Sequence, residues 1–213
     1  GYIMFTKTLL TDKIRAIKLI SNNESVKHAY LAVGTALALQ IGHRVSVDLD
    51  FFTLNEFDEK KLSSEFSNLK YFKEDGTSWR TVWGKIGETK FSLFYYKYKL
   101  LDKTSEFEAI QLASLKDIAA MKIHAIESRG TKRDFVDLYF LSKTFSLDDM
   151  LNFYNQKYLD LDEKMYHIIR SLDYFNDAEI DPMPNMLIET SWTQVKKYFQ
   201  DESKRLAIQN LTK

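Results

Sequence analysis

The amino-acid sequence predicts an α/β (α+β) protein, built as a mixed sheet with flanking helices and followed by a C-terminal helical region. Two patterns favour this fold class. Residues 45–52 and 70–98 contain alternating apolar and polar residues with many aromatic and β-branched side chains, which is typical of strands. From Ser114 onward, apolar residues recur at helical spacing instead. The change of pattern predicts an α/β core at residues 1–110 and a helical region at residues 111–213.

The first elements of the chain are predicted to alternate between helix and strand. Residues 8–20 carry apolar side chains at helical spacing, so they are predicted to form a helix. Residues 29–33 are a short apolar strand that runs into Gly34. The next helix is predicted at residues 35–41, and it ends at Gly42 because glycine is a typical C-terminal stop.

Capping and turn residues define the elements that follow the strand at residues 45–52. Asn55, with Asp58 three residues later, is a capping pair that predicts a helix at residues 56–69. Three aromatic strands are then predicted at Tyr71–Phe72, Trp79–Ile86 and Thr89–Tyr96, with turns at Asp75-Gly76 and Gly87-Glu88.

The second half of the chain is predicted to be helical. Ser114 and Asp117 form one capping pair, and Ser146 and Asp149 form another. Gly130 separates the first two of these helices. Helices are predicted at residues 114–128, 132–142, 146–158, 162–174 and 191–208, with a loop marked by Pro182 and Pro184 before the last one.

The bulk composition argues against several classes of protein. Thirty basic and thirty acidic residues give a net charge of zero, which argues against a broad polyanion-binding surface. The absence of cysteine excludes disulfides and thiolate metal sites. No stretch approaches the roughly 20 apolar residues that cross a bilayer. We therefore expect a cytoplasmic protein with no membrane partner.

Two carboxylates lie two residues apart in the strand predicted at residues 45–52. Because side chains alternate along a strand, Asp48 and Asp50 point away from the face of Val47 and Leu49. Their Cα atoms would lie about 7 Å apart, and carboxylates held that close repel each other unless a cation lies between them. The pattern fits a Mg²⁺ site, and it also fits an ordinary half-exposed strand with an acidic solvent face.

A lysine lies within an apolar stripe of the helix predicted at residues 114–128. Lys122 shares this stripe with Leu115, Ile118 and Ala125. Such a lysine either extends along its stem to solvent or meets an anion. The sequence leaves both interpretations open.

Three cations lie near the predicted start of the next helix. Arg129, Lys132 and Arg133 are placed where phosphate oxygens could be held, and the helix N-terminal amides would add to that site. Asp134 lies at the same helix start, where the helix dipole favours a carboxylate whatever its function.

Taken together, four blocks of this sequence resemble the AbiEii/AbiGii toxin family of nucleotidyltransferases, a branch of the DNA polymerase beta-like superfamily. The blocks occur in the order expected for the family, and they lie at Leu31–Gln40, Gly42–Phe52, Leu112–Lys122 and Arg129–Tyr139. The resemblance covers about residues 10–145 and implies a nucleotidyltransferase-like fold.

The resemblance also implies an active site. Asp48 and Asp50 would be catalytic and hold Mg²⁺, while Lys122 would neutralise phosphate charge. Asp134 would orient or deprotonate an acceptor hydroxyl, so the helical region would complete the active site. The residues expected to bind the nucleotide are Gly34, Thr35, Arg44, Ser46 and Lys132.

The implied function is a toxin of abortive phage infection, opposed by a separately encoded antitoxin. It would transfer a nucleotidyl group from an NTP to an RNA acceptor, such as tRNA, or to a protein. Two residues depart from the family pattern: Val33 replaces a glycine, and Ser92 stands where a third metal-binding carboxylate is expected. The alternative is therefore a catalytically impaired relative that keeps the fold and binds a nucleotide or a partner.

Overall fold

A computed structural model describes residues 4–211, which form two compact units that divide after Ser114. The first unit contains a mixed sheet with helices, and the second is helical, so the predicted fold class is confirmed. Within the described residues, no helix is both long enough and apolar enough to cross a membrane.

The sheet of the first unit is mixed. Strand β2 pairs in parallel with β5, β1 pairs in parallel with β7, and the remaining pairs are antiparallel. The strands lie in the order β3-β4-β5-β2-β1-β7-β6. Their bounds are β1 Tyr30–Leu31, β2 Leu49–Thr53, β3 Phe72–Ser78, β4 Thr81–Ile86, β5 Thr89–Tyr95, β6 Ser105–Phe107 and β7 Ile110–Leu112.

The helices of the first unit differ slightly from the predicted ones. Asp58 caps the helix predicted at residues 56–69, because its side chain accepts a hydrogen bond from the Lys61 N–H at 2.8 Å. The prediction that Asn55 begins this helix is therefore wrong. The elements are a 3-10 turn at Thr6–Thr8 and the helices α1 Thr11–Ile20, α2 Glu24–Lys27, α3 Val33–Ile41 and α4 Glu59–Ser67.

Of the two predicted turns in the hairpins, one is confirmed. Gly87 has φ +61° between β4 and β5, as a tight turn requires. The turn predicted at Asp75-Gly76 is wrong, because both residues lie within β3 at a register shift. Gly76 pairs with Trp83. A Cβ added to Gly76 would lie 2.6 Å from the Trp83 ring, so the absence of a side chain at Gly76 leaves room for the indole.

The core lies on one face of the sheet and thereby determines which face the carboxylates occupy. Leu49 and Phe51 of β2 are buried, and they alternate with half-buried Asp50. The Phe91 ring on β5 lies 5.6 Å from that of Phe51 and 5.7 Å from that of Phe66 on α4. The opposite face of β2 therefore presents Asp50.

The second unit consists of helices and loops in its described part. Capping boxes begin two helices, with Thr131 and Asp134 in the first and Ser146 and Asp149 in the second. The helices are α5 Leu115–Arg129, α6 Lys132–Leu141, α7 Leu147–Tyr158, α8 Leu161–Leu172, α9 Asn176–Glu179 and α10 Trp192–Leu211.

The short elements α2, α9, β6 and β7 were not predicted. Each has only three or four residues, which is too few to display a period. The boundary predicted between residues 110 and 111 falls inside β7, which pairs with β1.

Replacing Phe91 with alanine tests the core that orients the acidic face. Because its buried ring packs against three other aromatic rings, Phe91→Ala should lower the free energy of unfolding by about 3–5 kcal/mol. Trp79→Ala removes a large ring that is 69% exposed, so this control should cost less than about 1 kcal/mol. Urea denaturation measures the change in the free energy of unfolding for each variant. Equal changes for the two variants would contradict the assignment of Phe91 to the core.

Candidate active site

Helix α3 begins with a residue in the left-handed region. Val33 has φ +49°, which is unusual for a β-branched residue and costs about 1–3 kcal/mol. Ala32 before it is extended, and its N–H donates a 3.1 Å hydrogen bond to the Asp50 carbonyl. The chain therefore turns sharply from β1 into α3. Gly34 and Thr35, which are expected to bind the nucleotide, lie in the first turn of that helix.

Gly34 lies directly against the side chain of Arg44. A Cβ at Gly34 would lie 2.6 Å from Arg44 Nη2 and 3.5 Å from Ser46 Oγ, so a side chain at this position would require the guanidinium to shift. Arg44 is buried, and its Nη1 donates to the Val45 carbonyl at 3.1 Å. Arg44 is therefore not a surface cation.

The Thr35 hydroxyl joins α3 to the segment before β2. It donates to the Asp48 carbonyl and lies 2.8 Å from Ser46 Oγ. Both Thr35 and Ser46 are buried. These hydroxyls, which the sequence places at the nucleotide phosphates, make internal hydrogen bonds that fix the backbone at residues 46–48.

The predicted carboxylate pair lies at the start of β2. Asp48 and Asp50 are both half-buried, and buried Leu49 lies between them, so the predicted alternation holds from Asp48 onward. The prediction is wrong for the preceding residues, because the strand begins only at Leu49 and Val47 is 42% exposed. Contacts with α3 and with the Thr8 carbonyl hold Ser46 inward instead.

Ser92 lies beside Asp50 in the sheet. The parallel pairing of β2 and β5 places Asp50 in register with Ser92, and paired residues of neighbouring strands point to the same face. Residue 92 is thus where a third carboxylate would be adjacent to Asp50, as the family resemblance implies.

The first unit brings six predicted site residues together around the start of α3 and of β2. Within residues 4–211, no group of three or more His, Cys, Asp or Glu side chains is arranged to hold a metal ion. Two carboxylates are nevertheless sufficient for Mg²⁺ when phosphates and water supply the other ligands. The six residues are Gly34, Thr35, Arg44, Ser46, Asp48 and Asp50.

The second unit contains the predicted lysine and aspartate. Lys122 on α5 is 5% exposed at its side chain, and its Nζ lies 2.8 Å from Asp134 and 2.7 Å from Asp137 on α6. Of the two outcomes that the sequence left open, Lys122 therefore meets anions and does not extend to solvent. The ion pairs connect α5 to α6.

Asp134 is both a helix cap and a partner of Lys122. Its Oδ2 accepts hydrogen bonds from the Thr131 N–H at 3.1 Å and from the Thr131 hydroxyl at 2.7 Å. Burial by itself would raise the pKa of Asp134, but the Lys122 ammonium and the Thr131 hydroxyl outweigh it and hold the pKa below its ordinary value. Asp134 is therefore ionised at neutral pH.

Lys132, which was predicted to bind the nucleotide, is buried in contacts with the end of the α9 segment. Its backbone N–H and its Nζ donate to Asp181, and its Nζ lies 5.1 Å from the centre of the Trp192 ring. Arg129 and Arg133 are exposed, so two of the three cations of the predicted cluster are accessible to solvent.

Among the described residues of the second unit, the burial of three acidic residues was not predicted: Asp117, Glu127 and Asp137. Asp137 is fully buried against Lys122, and Asp117 pairs with Lys157 at 2.7 Å with both side chains buried. Asp137 could have been found, because it lies one helical turn after Asp134 on the same face. No local pattern in the sequence indicates that Lys157 pairs with Asp117, because the two residues are 40 positions apart.

Sequence comparison matches part of the chain to a protein family and most of it to a relative. Residues 95–209 match the family described as "Nucleotidyl transferase AbiEii toxin, Type IV TA system". Lys122 and Asp134 lie inside this match, and Asp48 and Asp50 lie before it. The chain is also 37% identical over 181 residues to the uncharacterized protein aq_aa25 of Aquifex aeolicus (strain VF5), covering 82% of this chain and 86% of that protein.

Structural comparison finds the same fold in solved structures that include a nucleotidyltransferase toxin. JHP933 from Helicobacter pylori superposes with a TM-score of 0.52 at 20% identity, covering 94% of each chain. MenT4, a nucleotidyltransferase toxin from Mycobacterium tuberculosis H37Rv, superposes with a TM-score of 0.54 at 14% identity, covering 92% of this chain and 85% of that one. At these identities the similarity shows the fold, which is nucleotidyltransferase-like as predicted.

Removing the Lys122 ammonium tests the buried ion pairs between α5 and α6. Lys122→Ala leaves two buried carboxylates without this counter-ion, so it should lower the free energy of unfolding by about 3–5 kcal/mol. Lys197→Ala removes one partner of an exposed pair with Asp201, and it should cost less than about 1 kcal/mol. Chemical denaturation compares the two, and a Lys122→Ala protein as stable as Lys197→Ala would contradict the buried arrangement.

The pH dependence of stability tests the state of Asp134. Because its pKa is lowered in the folded protein, its contribution is present above the unfolded value of about 4 and is lost as the pH falls through the folded value. Asp134→Asn should therefore flatten the acid limb of stability against pH.

Asp149→Asn is the matched control, because Asp149 occupies the same capping-box position without a lysine partner in the described ion pairs, and its pKa is lowered mainly by the Ser146 hydroxyl. Thermal unfolding is measured between about pH 3 and pH 7. The dependence of stability on pH should change more for Asp134→Asn than for Asp149→Asn. Identical acid limbs for the two variants would contradict the ion-paired state.

Proposed function

We infer the reaction from one premise: the chain belongs to the AbiEii family of nucleotidyl transferase toxins of type IV toxin–antitoxin systems. We propose that it transfers a nucleotidyl group from an NTP, with Mg²⁺, to an RNA acceptor such as tRNA or to a protein. In this proposal it acts as a toxin in abortive phage infection, and a separately encoded antitoxin opposes it.

The observation that supports the proposal most is the fixed carboxylate pair. Asp48 and Asp50 flank a buried leucine at the start of β2, and the Thr35 hydroxyl holds the Asp48 carbonyl. A backbone fixed in this way keeps the two carboxylates close together without any rearrangement when a substrate arrives. Such pre-organisation is what metal-assisted phosphoryl chemistry requires of a protein.

Asp48 and Asp50 are the residues that would hold Mg²⁺. When bound, the ion would polarise the attacked phosphorus and neutralise phosphate charge. Gly34 lies at the first turn of α3, where backbone amides are available to phosphate oxygens. Arg44, next to Gly34, adds positive charge at this point. We propose that the nucleotide phosphates contact these two residues.

We propose for Lys122 and Asp134 the roles that the family resemblance implies. The structure adds that Lys122 holds Asp134 through a 2.8 Å contact, with Thr131 on the other carboxylate oxygen. We propose that this fixed, ionised Asp134 orients or deprotonates the acceptor hydroxyl. An RNA acceptor would find Arg129 and Arg133 exposed near the start of α6, whereas Lys132 is engaged with Asp181.

A second candidate function rests on Ser92. A serine hydroxyl is a poorer ligand for a hard cation than a carboxylate, and Ser92 lies in register beside Asp50. The chain could accordingly be a relative that binds a nucleotide or a partner with little catalysis. The two candidates differ in whether nucleotide binding and transfer depend on Mg²⁺.

Transfer of labelled nucleotide distinguishes the two candidates. The purified protein is incubated with each labelled NTP, Mg²⁺ and either total RNA or total protein. We expect labelling of one acceptor class that chelation of Mg²⁺ abolishes. Asp48→Asn and Asp50→Asn should each lower it at least about a hundredfold, since each removes one of two carboxylate ligands.

Asp75→Asn is the matched control, because Asp75 is an exposed aspartate on β3 of the same sheet, and labelling should be unchanged. NTP binding without Mg²⁺ dependence and without transfer would favour the second candidate. Absence of both binding and transfer, with any NTP, would overturn the proposal. Ser92→Asp adds a carboxylate beside Asp50 and should lower the Mg²⁺ concentration needed for half-maximal labelling.

A further inference from the structure

A groove of about 940 Å³ lies within the second unit and has no role in the proposed reaction. It runs along α8, between the C-terminal turns of α5 and those of α10. Its apolar lining comes from one residue of α5, two of α8 and two of α10, namely Ile126, Met165, Ile169, Ala207 and Leu211. A groove of this kind between helices has the shape that accepts the apolar face of another helix.

Exposed aromatic residues stand at the edge of this groove. Tyr166 is 73% exposed and Tyr174 is 54% exposed, and both line it. The Arg170 guanidinium lies 5.8 Å from the centre of the Tyr166 ring. Tyrosine and arginine are the residue types that carry much of the binding energy in protein interfaces.

The charge around the groove is negative, although the net charge of the whole chain is zero. Residues 159–181 contain seven acidic and two basic residues. Glu179 and Asp181 contact Lys196 and Lys132. Three further acids are exposed and line the groove itself: Asp162, Asp173 and Asp177.

The cations of the groove are fewer and are partly engaged within the unit. Lys164, which lies outside the lining, is 2.8 Å from Glu127 of the lining, and Arg170 lies against Tyr166. Arg129 is the other arginine of the lining. A polyanion would therefore meet more acidic than basic side chains, whereas lysines or arginines of a ligand would be attracted to the rim.

We propose that this groove binds a basic amphipathic helix of a partner protein. The apolar face of that helix lies on the floor of the groove, and its lysines or arginines contact Asp162, Asp173 and Asp177. Tyr166 and Tyr174 pack against the sides of the helix. This binding is independent of the NTP reaction, so loss of nucleotidyl transfer does not affect it.

A pair of model peptides tests the proposal. One is a fluorescein-labelled helix with leucine at positions i, i+3, i+4 and i+7 and lysine elsewhere, and the other has glutamate in place of lysine. Fluorescence anisotropy with the full chain should show saturable binding of the lysine peptide only. Reversing the three rim acids, with Asp162→Lys, Asp173→Lys and Asp177→Lys together, should weaken this binding about tenfold or more.

The control reverses three exposed acids elsewhere and changes the net charge equally: Glu65→Lys, Asp75→Lys and Glu88→Lys. It should change peptide affinity less than about twofold, because these residues do not line the groove. Ala207→Phe fills the floor of the groove and should also weaken binding, which an effect of charge alone would not produce.

Three results would overturn the proposal. The first is equal weakening by the two triple reversals, which would indicate binding by net charge. The second is tighter binding of a single-stranded RNA oligomer than of the lysine peptide, lost when Arg129 and Arg170 are changed to alanine. The third is a concentration-dependent dimer that Ala207→Phe abolishes, which would make the occupant a second copy of this chain.

Discussion

The hydrogen bonds of one buried hydroxyl determine the geometry of the candidate active site. Thr35, in the first turn of α3, holds both the Asp48 carbonyl and the Ser46 hydroxyl. The backbone at residues 46–48 is fixed there, directly before β2, and Asp48 and Asp50 lie on either side of buried Leu49. The Thr35 hydroxyl donates to the Asp48 carbonyl and accepts from the Ser46 hydroxyl. Leaving either buried group without its partner costs about 1–3 kcal/mol, so the interaction is also a stabilising one.

Buried charge has the corresponding role in the helical unit. Lys122 connects α5 to α6 through two carboxylates, and Lys157 connects α7 to Asp117 on α5. Apolar residues of similar volume would stabilise such positions equally well or better, so buried ion pairs are weak evidence of selection for stability. In this chain the Lys122 contacts keep Asp134 ionised and oriented, which is consistent with a role in the reaction.

The sequence predicted long elements well and the contacts of individual side chains poorly. The helices α5 to α8 were placed to within a few residues, because their period and their capping residues such as Ser146 are local signals. The strand predicted at residues 45–52 was given too early a start, because β2 begins only at Leu49. Tertiary contacts of Ser46 override the alternation of the residues before it. The internal hydrogen bonds of Thr35 and Lys132 could not be predicted, because their partners, Asp48 and Asp181, are distant in sequence.

The central claim is that the Thr35 hydroxyl holds the carboxylate pair in position for Mg²⁺ and nucleotide. Calorimetric titration of NTP in the presence of Mg²⁺, with Thr35→Val and Thr35→Ser, tests it most directly. Valine keeps the shape of threonine but lacks the hydroxyl, so binding should weaken strongly, whereas serine keeps the donor and should bind much like threonine. Binding by the valine variant with unchanged affinity and unchanged Mg²⁺ dependence would contradict the account.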